Sequence, residues 1–322
     1  MGLKQQSETF ENPVHNDRSQ KPPGQLFNTA GITSLEVVAK KPDRLMPNNS
    51  IPTFKYQSAV EKRLNHLDQL ILKINKDFGV KDIHDFRVEV KKLKALLRLL
   101  RSVLKDSSAY RFPRDIDKSY KALGHLRECQ IQFEMICSTC QHRGFTLPSR
   151  YLEKIKQQTN LCEQKARIAL KNISPIDKKK NRIMGNSPVT LPVNMESRFI
   201  RYKLLTVKEK FILASQDDVS LHEMRKRIKD VQYILSLTAE KTTAFSGGLA
   251  FKTVRNASRM LGEFHDFAVA LDQLERELKV PPYSMQENET LQSISQIWRL
   301  HKEKLKVKAW SACKVLMHTK PK

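Results

Sequence analysis

Long apolar stretches are missing from this sequence. No segment approaches the roughly 18 to 20 consecutive apolar residues that a helix needs to cross a bilayer, so we expect no membrane span. No apolar leader followed by a cleavage site opens the sequence, which favours a cytoplasmic protein. Cysteine is also scarce, and an odd number of irregularly spaced cysteines indicates reduced thiols rather than a disulfide framework. The five cysteines are Cys129, Cys137, Cys140, Cys162 and Cys313.

Catalytic and metal-binding signatures are equally scarce. The sequence contains no glycine-rich loop of the kind that cradles phosphates, and its nine histidines lack the spacing of zinc ligands. Cys137 and Cys140 form an isolated pair near the end of a predicted helix, where we interpret them as small core residues. We therefore predict a protein that is not an enzyme and that carries no cofactor or metal.

Positive charge, in contrast, is abundant. The chain has 58 Lys and Arg against 34 Asp and Glu, which gives a net charge of +24. The first 50 residues hold six basic and five acidic residues, so the remainder carries +23. Such an excess attracts anions and opposes compaction, and an anionic partner would relieve that repulsion. Nucleic acid, an anionic membrane surface and inorganic polyphosphate all fit this description.

Composition divides the chain into four parts. Residues 1–50 are rich in Asn, Gln, Ser, Thr and Pro, which predicts a disordered or mobile tail. Residues 51–172 and 196–322 have apolar residues at three- and four-residue spacing, which predicts four helices in each part. Residues 173–195 contain several prolines and the run Lys178-Lys179-Lys180, and we interpret them as a linker. The predicted helices are 55–77, 82–105, 113–143, 149–171, 196–216, 220–240, 248–279 and 286–316.

The two helical parts repeat each other with a shift of 138 residues. A His-x-x-Arg-x-x-x-Lys motif begins the second predicted helix and recurs in the sixth, and a Leu-Gly pair follows each motif at the same distance. A repeat of this kind indicates an internal duplication. The corresponding residues are His84 and His222, Arg87 and Arg225, Lys91 and Lys229, Lys121 and Arg259, Gly124 and Gly262, and Glu128 and Asp266.

The first motif belongs to a continuous stripe of positive charge. On a helix its members fall within an arc of roughly 100°, with the apolar residues on the opposite side. Generic solvated faces mix charges because like charges four residues apart repel each other. This stripe contains no acid, so we interpret it as a ligand-binding face. Its members are His84, Arg87, Lys91, Lys94, Arg98 and Arg101.

The stripe is weaker in the second copy. The positions equivalent to Lys94 and Arg98 carry no charge there, whereas Lys226 and Arg227 add charge nearer the start of the helix. We therefore expect the first half to hold more of the ligand.

Two sequence segments carry a family resemblance. The first is His-Asp-Phe-Arg-Val-Glu-Val-Lys-Lys-Leu-Lys at 84–94, and the second is His-Glu-Met-Arg-Lys-Arg-Ile-Lys at 222–229. Leu-Gly segments that end in Arg127-Glu128 and His265-Asp266 follow them. Together they resemble the CHAD family, the conserved histidine α-helical domain, over roughly residues 55–316. The resemblance implies an all-α fold of two four-helix bundles related by pseudo-twofold symmetry, with a basic groove that binds inorganic polyphosphate.

The resemblance also implies phosphate contacts from both halves. Asp230 and Gln232 stand where the family would have basic residues, which predicts a weaker grip by the second half. With the stripe and the added charge at position 226 included, the candidate polyphosphate-binding residues are His84, Arg87, Lys91, Lys92, Lys94, Arg98, Lys121, Arg127, His222, Arg225, Lys226, Lys229 and Arg259.

Polyphosphate suits such a surface chemically. It carries about one negative charge per phosphate, and Arg and Lys donate charge-assisted hydrogen bonds to its oxygens. Beside phosphate, His84 and His222 would tend to be protonated and donate as well, so we expect binding to tighten as the pH falls towards 6. With this partner, we expect a cytoplasmic location that includes polyphosphate granules.

Two alternatives stay open at this point. A nucleic-acid-binding protein could use the same basic face, and a polyphosphate-processing enzyme or metal protein is the third hypothesis. The aromatic residues follow core spacing and do not alternate with basic residues, which favours polyphosphate over single-stranded nucleic acid.

Overall fold

The fold was analysed in a computed structural model, which describes residues 50–52, 54–103, 110–184, 190–213, 217–238, 251–279 and 283–318. Nine helices and two short strands make up this part of the chain. In chain order they are β1 (Ser50–Pro52), α1 (Phe54–Asp77), α2 (Val80–Val103), α3 (Arg114–Arg143), α4 (Ser149–Lys171), α5 (Ile176–Met184), β2 (Thr190–Pro192), α6 (Met195–Leu213), α7 (Asp218–Thr238), α8 (Phe251–Glu277) and α9 (Met285–His318).

Local sequence signals explain where these helices begin and end. Pro113 and Pro148 directly precede α3 and α4. Proline is tolerated at the start of a helix because the N–H that it lacks would have no partner within the helix there. Gly144 ends α3 in the left-handed region, with φ of 68°, and the N–H after it, that of Phe145, donates to the carbonyl oxygen of Cys140. All eight predicted helices are present. Their predicted ends lie within three residues of the observed ones where the structure describes them, and the predicted ends at 105, 216, 240 and 248 lie outside the described residues.

The segment interpreted as a linker has more structure than its composition indicated. Helix α5 and strand β2 both lie within residues 173–195. The nine residues of α5 include three consecutive lysines, and so short a helix offers too few turns for its apolar spacing to stand out. The predicted tail, residues 1–50, lies outside the described residues except for Ser50, the first residue of β1. The division into domains therefore stays a prediction.

A two-stranded ribbon joins the beginnings of the two helical parts. β1 and β2 pair antiparallel, with Ile51 opposite Leu191. Directly after these strands, the hydroxyl of Tyr56 on α1 donates to a carboxylate oxygen of Glu196 on α6 at 2.5 Å. The start of α1 is thereby held beside the start of α6.

The apolar core consists of two clusters, and each draws residues from both halves of the chain. The larger cluster includes Leu96 of α2 and Ile228 of α7, and the smaller one includes Ile136 of α3 and Trp298 of α9. Consecutive helices pack against each other from α1 to α4 and from α6 to α9, and α5 packs on α1. Across the halves, α2 contacts α7 and α3 contacts α8. The prediction of an all-α class is confirmed. The division into two symmetric bundles stays a prediction.

None of the described helices combines the length and the apolar character that crossing a membrane requires.

Candidate functional site

A groove of about 720 Å³ lies where the two halves of the chain meet. Helices α2 and α3 line it from the first half, and α6, α7 and α8 line it from the second. The groove is strongly basic. Its basic side chains are His84, Arg87, Lys91, Lys94, Arg98, Arg127, Lys203, His222, Arg225, Lys226, Arg227, Lys229 and His265.

Ten of the thirteen candidate residues line this groove, and three do not. The side chain of Lys92 lies on a different face of α2, where its ammonium is 3.3 Å from a carboxylate oxygen of Glu89. The exposed side chain of Lys121 pairs with Asp117 at 3.1 Å. Arg259 is likewise exposed and pairs with a glutamate one turn further along α8. Lys92 follows Lys91 directly, so the helix turns its side chain about 100° away.

Four cations at the centre of the groove have no carboxylate partner in the part of the chain that the structure describes. Among the described residues, no acid lies within ion-pair distance of Arg87, Lys91, Arg225 or Lys229. Nε of Arg225 is buried and has no hydrogen-bond partner there. A buried donor without a partner costs free energy that a bound acceptor can recover. We refer to these four residues as the inner cations.

Carboxylates already neutralise the cations towards the edges of the groove. Asp230, a buried acid on α7, accepts hydrogen bonds from Arg98 at 2.7 Å and from Lys203 at 2.9 Å. Lys94 donates to Asp117 at 2.6 Å. Asp230 therefore ties α2, α6 and α7 together while it lowers the net charge at one end of the groove.

Burial and mutual repulsion make the two inner lysines weak bases. Burial and the neighbouring charges of Arg225, Arg87 and Lys229 lower the pKa of Lys91 to about 8, with Asp266 opposing the change. The pKa of Lys229 is lowered to about 8 by burial and by Arg225. A phosphate in the groove would favour the charged forms of both lysines.

Two histidines of the second half pair with each other in the groove. Nδ1 of His222 lies 3.2 Å from Nδ1 of His265, and the ring centroids are 4.7 Å apart. Burial, followed by the charge of Arg225, lowers the pKa of His265 to about 3. Burial, followed by the charge of Lys226, lowers that of His222 as well. Both shifts favour the neutral ring, and His84 lines the groove from the first half.

Gly124 on α3 makes room for the guanidinium of Arg87. A Cβ at Gly124 would lie only 2.5 Å from Nη1 of Arg87. That nitrogen donates to the carbonyl oxygen of Tyr120 at 2.9 Å, and the guanidinium carbon lies 4.7 Å from the centre of the Tyr120 ring. The first glycine of the duplicated Leu-Gly pair thus permits a close approach. Gly262 has no atom within 4 Å of the equivalent point.

Sequence reasoning did not select three of the basic residues that line the groove. His265 corresponds to Arg127 under the shift of 138 residues, so the duplication itself could have identified it. Arg227 stands within the second motif and was counted only as added charge. Lys203 lies on α6 outside both motifs, and no local pattern distinguishes it from other surface lysines.

The fold and the groove define an all-helical protein with a cation-lined site suited to an anion. A sequence profile described as the CHAD domain matches residues 58–275, which is more than half of the chain. The chain therefore belongs to the CHAD family. Its structure is similar to the crystal structure of the CHAD domain from the plant Ricinus communis, with a TM-score of 0.67 at 16% sequence identity, over 87% of this chain and 97% of that one. No curated protein sequence matches the chain.

Proposed function

We propose that the groove binds inorganic polyphosphate and does not convert it chemically. The observation that carries this proposal is the set of inner cations, which come from equivalent positions on α2 and α7 and have no acid partner among the described residues. Repulsion among four such groups, which Asp266 relieves only in part, is unfavourable unless a counterion is bound. A multivalent anion is the counterion that best explains such a cluster.

Polyphosphate matches this arrangement in geometry as well as charge. Its repeated non-bridging oxygens can accept hydrogen bonds from arginine guanidinium groups and lysine ammonium groups on both walls of the groove. The proposal requires no recognition of a base or a sugar. With this function, we expect the protein to lie in the cytoplasm and to associate with polyphosphate granules.

Nucleic acid is the competing ligand. Single-stranded nucleic acid stacks its bases on exposed aromatic rings. The groove contains two tyrosines, but Arg87 and Lys94 cover the Tyr120 ring and the Tyr233 side chain is buried. Neither ring is free to stack on a base, which favours polyphosphate.

The test is a binding measurement with long-chain polyphosphate at about 150 mM salt, where the Debye length is about 8 Å and unspecific attraction is weak. Wild type is compared with a groove variant, Arg87→Ala/Lys91→Ala/Arg225→Ala/Lys229→Ala. The control, Lys92→Ala/Arg101→Ala/Lys121→Ala/Arg259→Ala, removes four positive charges that do not line the groove. Duplex DNA serves as the competitor.

We expect the groove variant to lose at least 100-fold in affinity, since each charge-assisted hydrogen bond contributes about 1.5–3 kcal/mol. The control should stay within a few-fold of wild type, and DNA should fail to displace polyphosphate. Equal losses in both variants would indicate a diffuse basic surface, and equal displacement by DNA would favour a nucleic-acid-binding protein. Phosphate release in the presence of Mg²⁺ would contradict the absence of catalysis.

A further inference from the structure

A second basic cleft lies outside the groove, where the start of α3 meets α5. It encloses about 420 Å³ and shares none of its lining residues with the groove. Two arginines, Arg111 and Arg114, stand at the α3 side, and Lys178 and Arg182 stand on α5. All four side chains are exposed, and among the described residues none has an acid within ion-pair distance. We refer to them as the cleft cations.

The acid that lines this cleft is already neutralised. Asp115 accepts hydrogen bonds from the ammonium of Lys179 at 2.8 Å, and from the backbone N–H and hydroxyl of Ser174 at 2.9 and 2.8 Å. Although burial opposes it, these hydrogen bonds from Lys179 and Ser174 lower the pKa of Asp115 to about 2. The Asp115 charge is thus compensated by Lys179, and the four cleft cations leave the cleft strongly positive.

A buried clamp fixes the position of α5. Lys179 is 5% exposed, and its ammonium donates to both the carbonyl and the hydroxyl oxygen of Ser174 as well as to Asp115. Lys178 and Arg182 are four residues apart, so they lie on the same face of α5. Lys180 pairs with Asp177 at 2.9 Å instead. The three consecutive lysines therefore have different roles, and Lys179 fixes the helix that carries the cleft cations Lys178 and Arg182.

We propose that this cleft is a second phosphate-binding site, which takes a short segment of inorganic polyphosphate. The identity of the ligand rests on the function proposed for the groove, but the side chains that would bind it are separate. The two sites are neighbours. The ammonium of Lys94, which lines the groove, lies 4.8 Å from the ring centre of Phe112, which lines the cleft. A long chain can therefore occupy both sites, which raises its overall affinity through a high effective concentration.

The test counts bound tripolyphosphate, a ligand of only three phosphates, by calorimetry on the full chain at about 150 mM salt. A cleft variant, Arg111→Ala/Lys178→Ala/Arg182→Ala, is compared with Lys304→Ala/Lys308→Ala/Lys314→Ala. The second variant is the control: it also removes three positive charges, and its lysines are exposed on α9 and line neither site. We expect one tripolyphosphate fewer per chain in the cleft variant and no change in the control. An unchanged number in the cleft variant, or an equal decrease in both, would overturn the proposal.

The groove variant separates this proposal from the proposed function. If the cleft variant loses one bound tripolyphosphate and the groove variant loses none, the second site stands and the function of the groove fails. The reverse result would leave the groove and remove the second site. Thermal unfolding checks that each variant is folded. A milder variant, the single charge reversal Arg182→Glu, should weaken tripolyphosphate binding at the second site at least tenfold. An Arg182→Glu protein with unchanged affinity would contradict the assignment.

Discussion

The first and second halves of the chain place matching residues at the centre of the groove but differ at its edges. Arg87 and Lys91 on α2 correspond to Arg225 and Lys229 on α7, and all four lack an acid partner among the described residues. Beyond Lys91, the first half continues its stripe along the same helix. In the second half the equivalent of Lys94 is Gln232, which accepts hydrogen bonds from neighbouring side chains.

The second half makes up this difference from other parts of the fold. Lys203 reaches the groove from α6, and Arg227 lines it from α7, where the first half has Glu89 at the equivalent position. His265 on α8 corresponds to Arg127 on α3, but burial and Arg225 favour its neutral ring. Charge in the first half therefore comes from the stripe on α2 and from Arg127, whereas charge in the second half comes from α6 and α7. The comparison teaches that a half with few basic residues along one helix can still form a basic side of the groove, because other helices add cations to it. The expectation that the first half holds more of the ligand stays a prediction.

The pH dependence of binding gives the largest test of this comparison. Burial and neighbouring cations lower the pKa of Lys91 and that of Lys229, one from each half, to about 8. Phosphate favours the charged forms, so binding should be at full strength below pH 8 and weaken above it. Affinity for polyphosphate should fall by up to about tenfold per pH unit for each lysine, measured between pH 7 and 9.5.

Arginine substitutions separate the two contributions. Arginine stays charged throughout this range, so Lys91→Arg and Lys229→Arg should each remove about half of the slope. If one of the two variants keeps the full slope, the two halves do not share the ligand equally. On the acid side, the tightening towards pH 6 that we expect from His84 and His222 requires bound phosphate to overcome the burial and the Lys226 charge that lower the pKa of His222.

Asp230 is a second point of difference between the halves, because the first half has Lys92 at the equivalent position. Its substitution should have an effect of intermediate size. Asp230→Asn removes the carboxylate that holds Arg98 and Lys203, at 2.7 and 2.9 Å. We expect polyphosphate to bind several-fold more tightly, since both cations become available. The free energy of unfolding should decrease by about 1–3 kcal/mol as a buried hydrogen-bonded acid is lost. Calorimetry and denaturant unfolding measure the two effects.

The matched control for this substitution is Glu263→Gln. Glu263 pairs with the exposed Arg259 at 2.8 Å outside the groove, so the control changes the net charge of the chain by the same amount. It should change neither affinity nor stability appreciably, because exposed pairs contribute about 0–1 kcal/mol. Equal tightening in both variants would mean that net charge, and not the release of Arg98 and Lys203, controls binding.

The duplicated glycines give the smallest effects, and they should differ in kind. Gly124→Ala would force the guanidinium of Arg87 to move, so affinity should fall several-fold with little change in stability. Gly262→Ala meets no atom within 4 Å and should raise the free energy of unfolding by about 1 kcal/mol through helix propensity, with affinity unchanged. The same response in both variants would show that Gly124 does not position Arg87.

The sequence predicted the helices well because their signals are local. Apolar spacing, prolines before α3 and α4, and Gly144 after α3 are read within a few residues, and the ends of the predicted helices lie close to those of the structure. The 138-residue repeat selected the inner cations, and the structure places all four of them along one groove. Helical periodicity also left Lys92 out of the basic stripe. That residue entered the candidate site through the family resemblance, and the structure places it outside the groove.

Sequence alone thus determined the all-α class, the family and the residues at the centre of the groove, because helical period and repeated spacing are properties of the chain itself. Only the tertiary structure decided which cations keep an acid partner and which do not. Asp230 meets Arg98 across 132 residues of sequence, and Lys179 meets Asp115 through a helix too short for its pattern to be recognised. Contacts between helices distant in sequence depend on how the helices pack, and no local spacing records that packing.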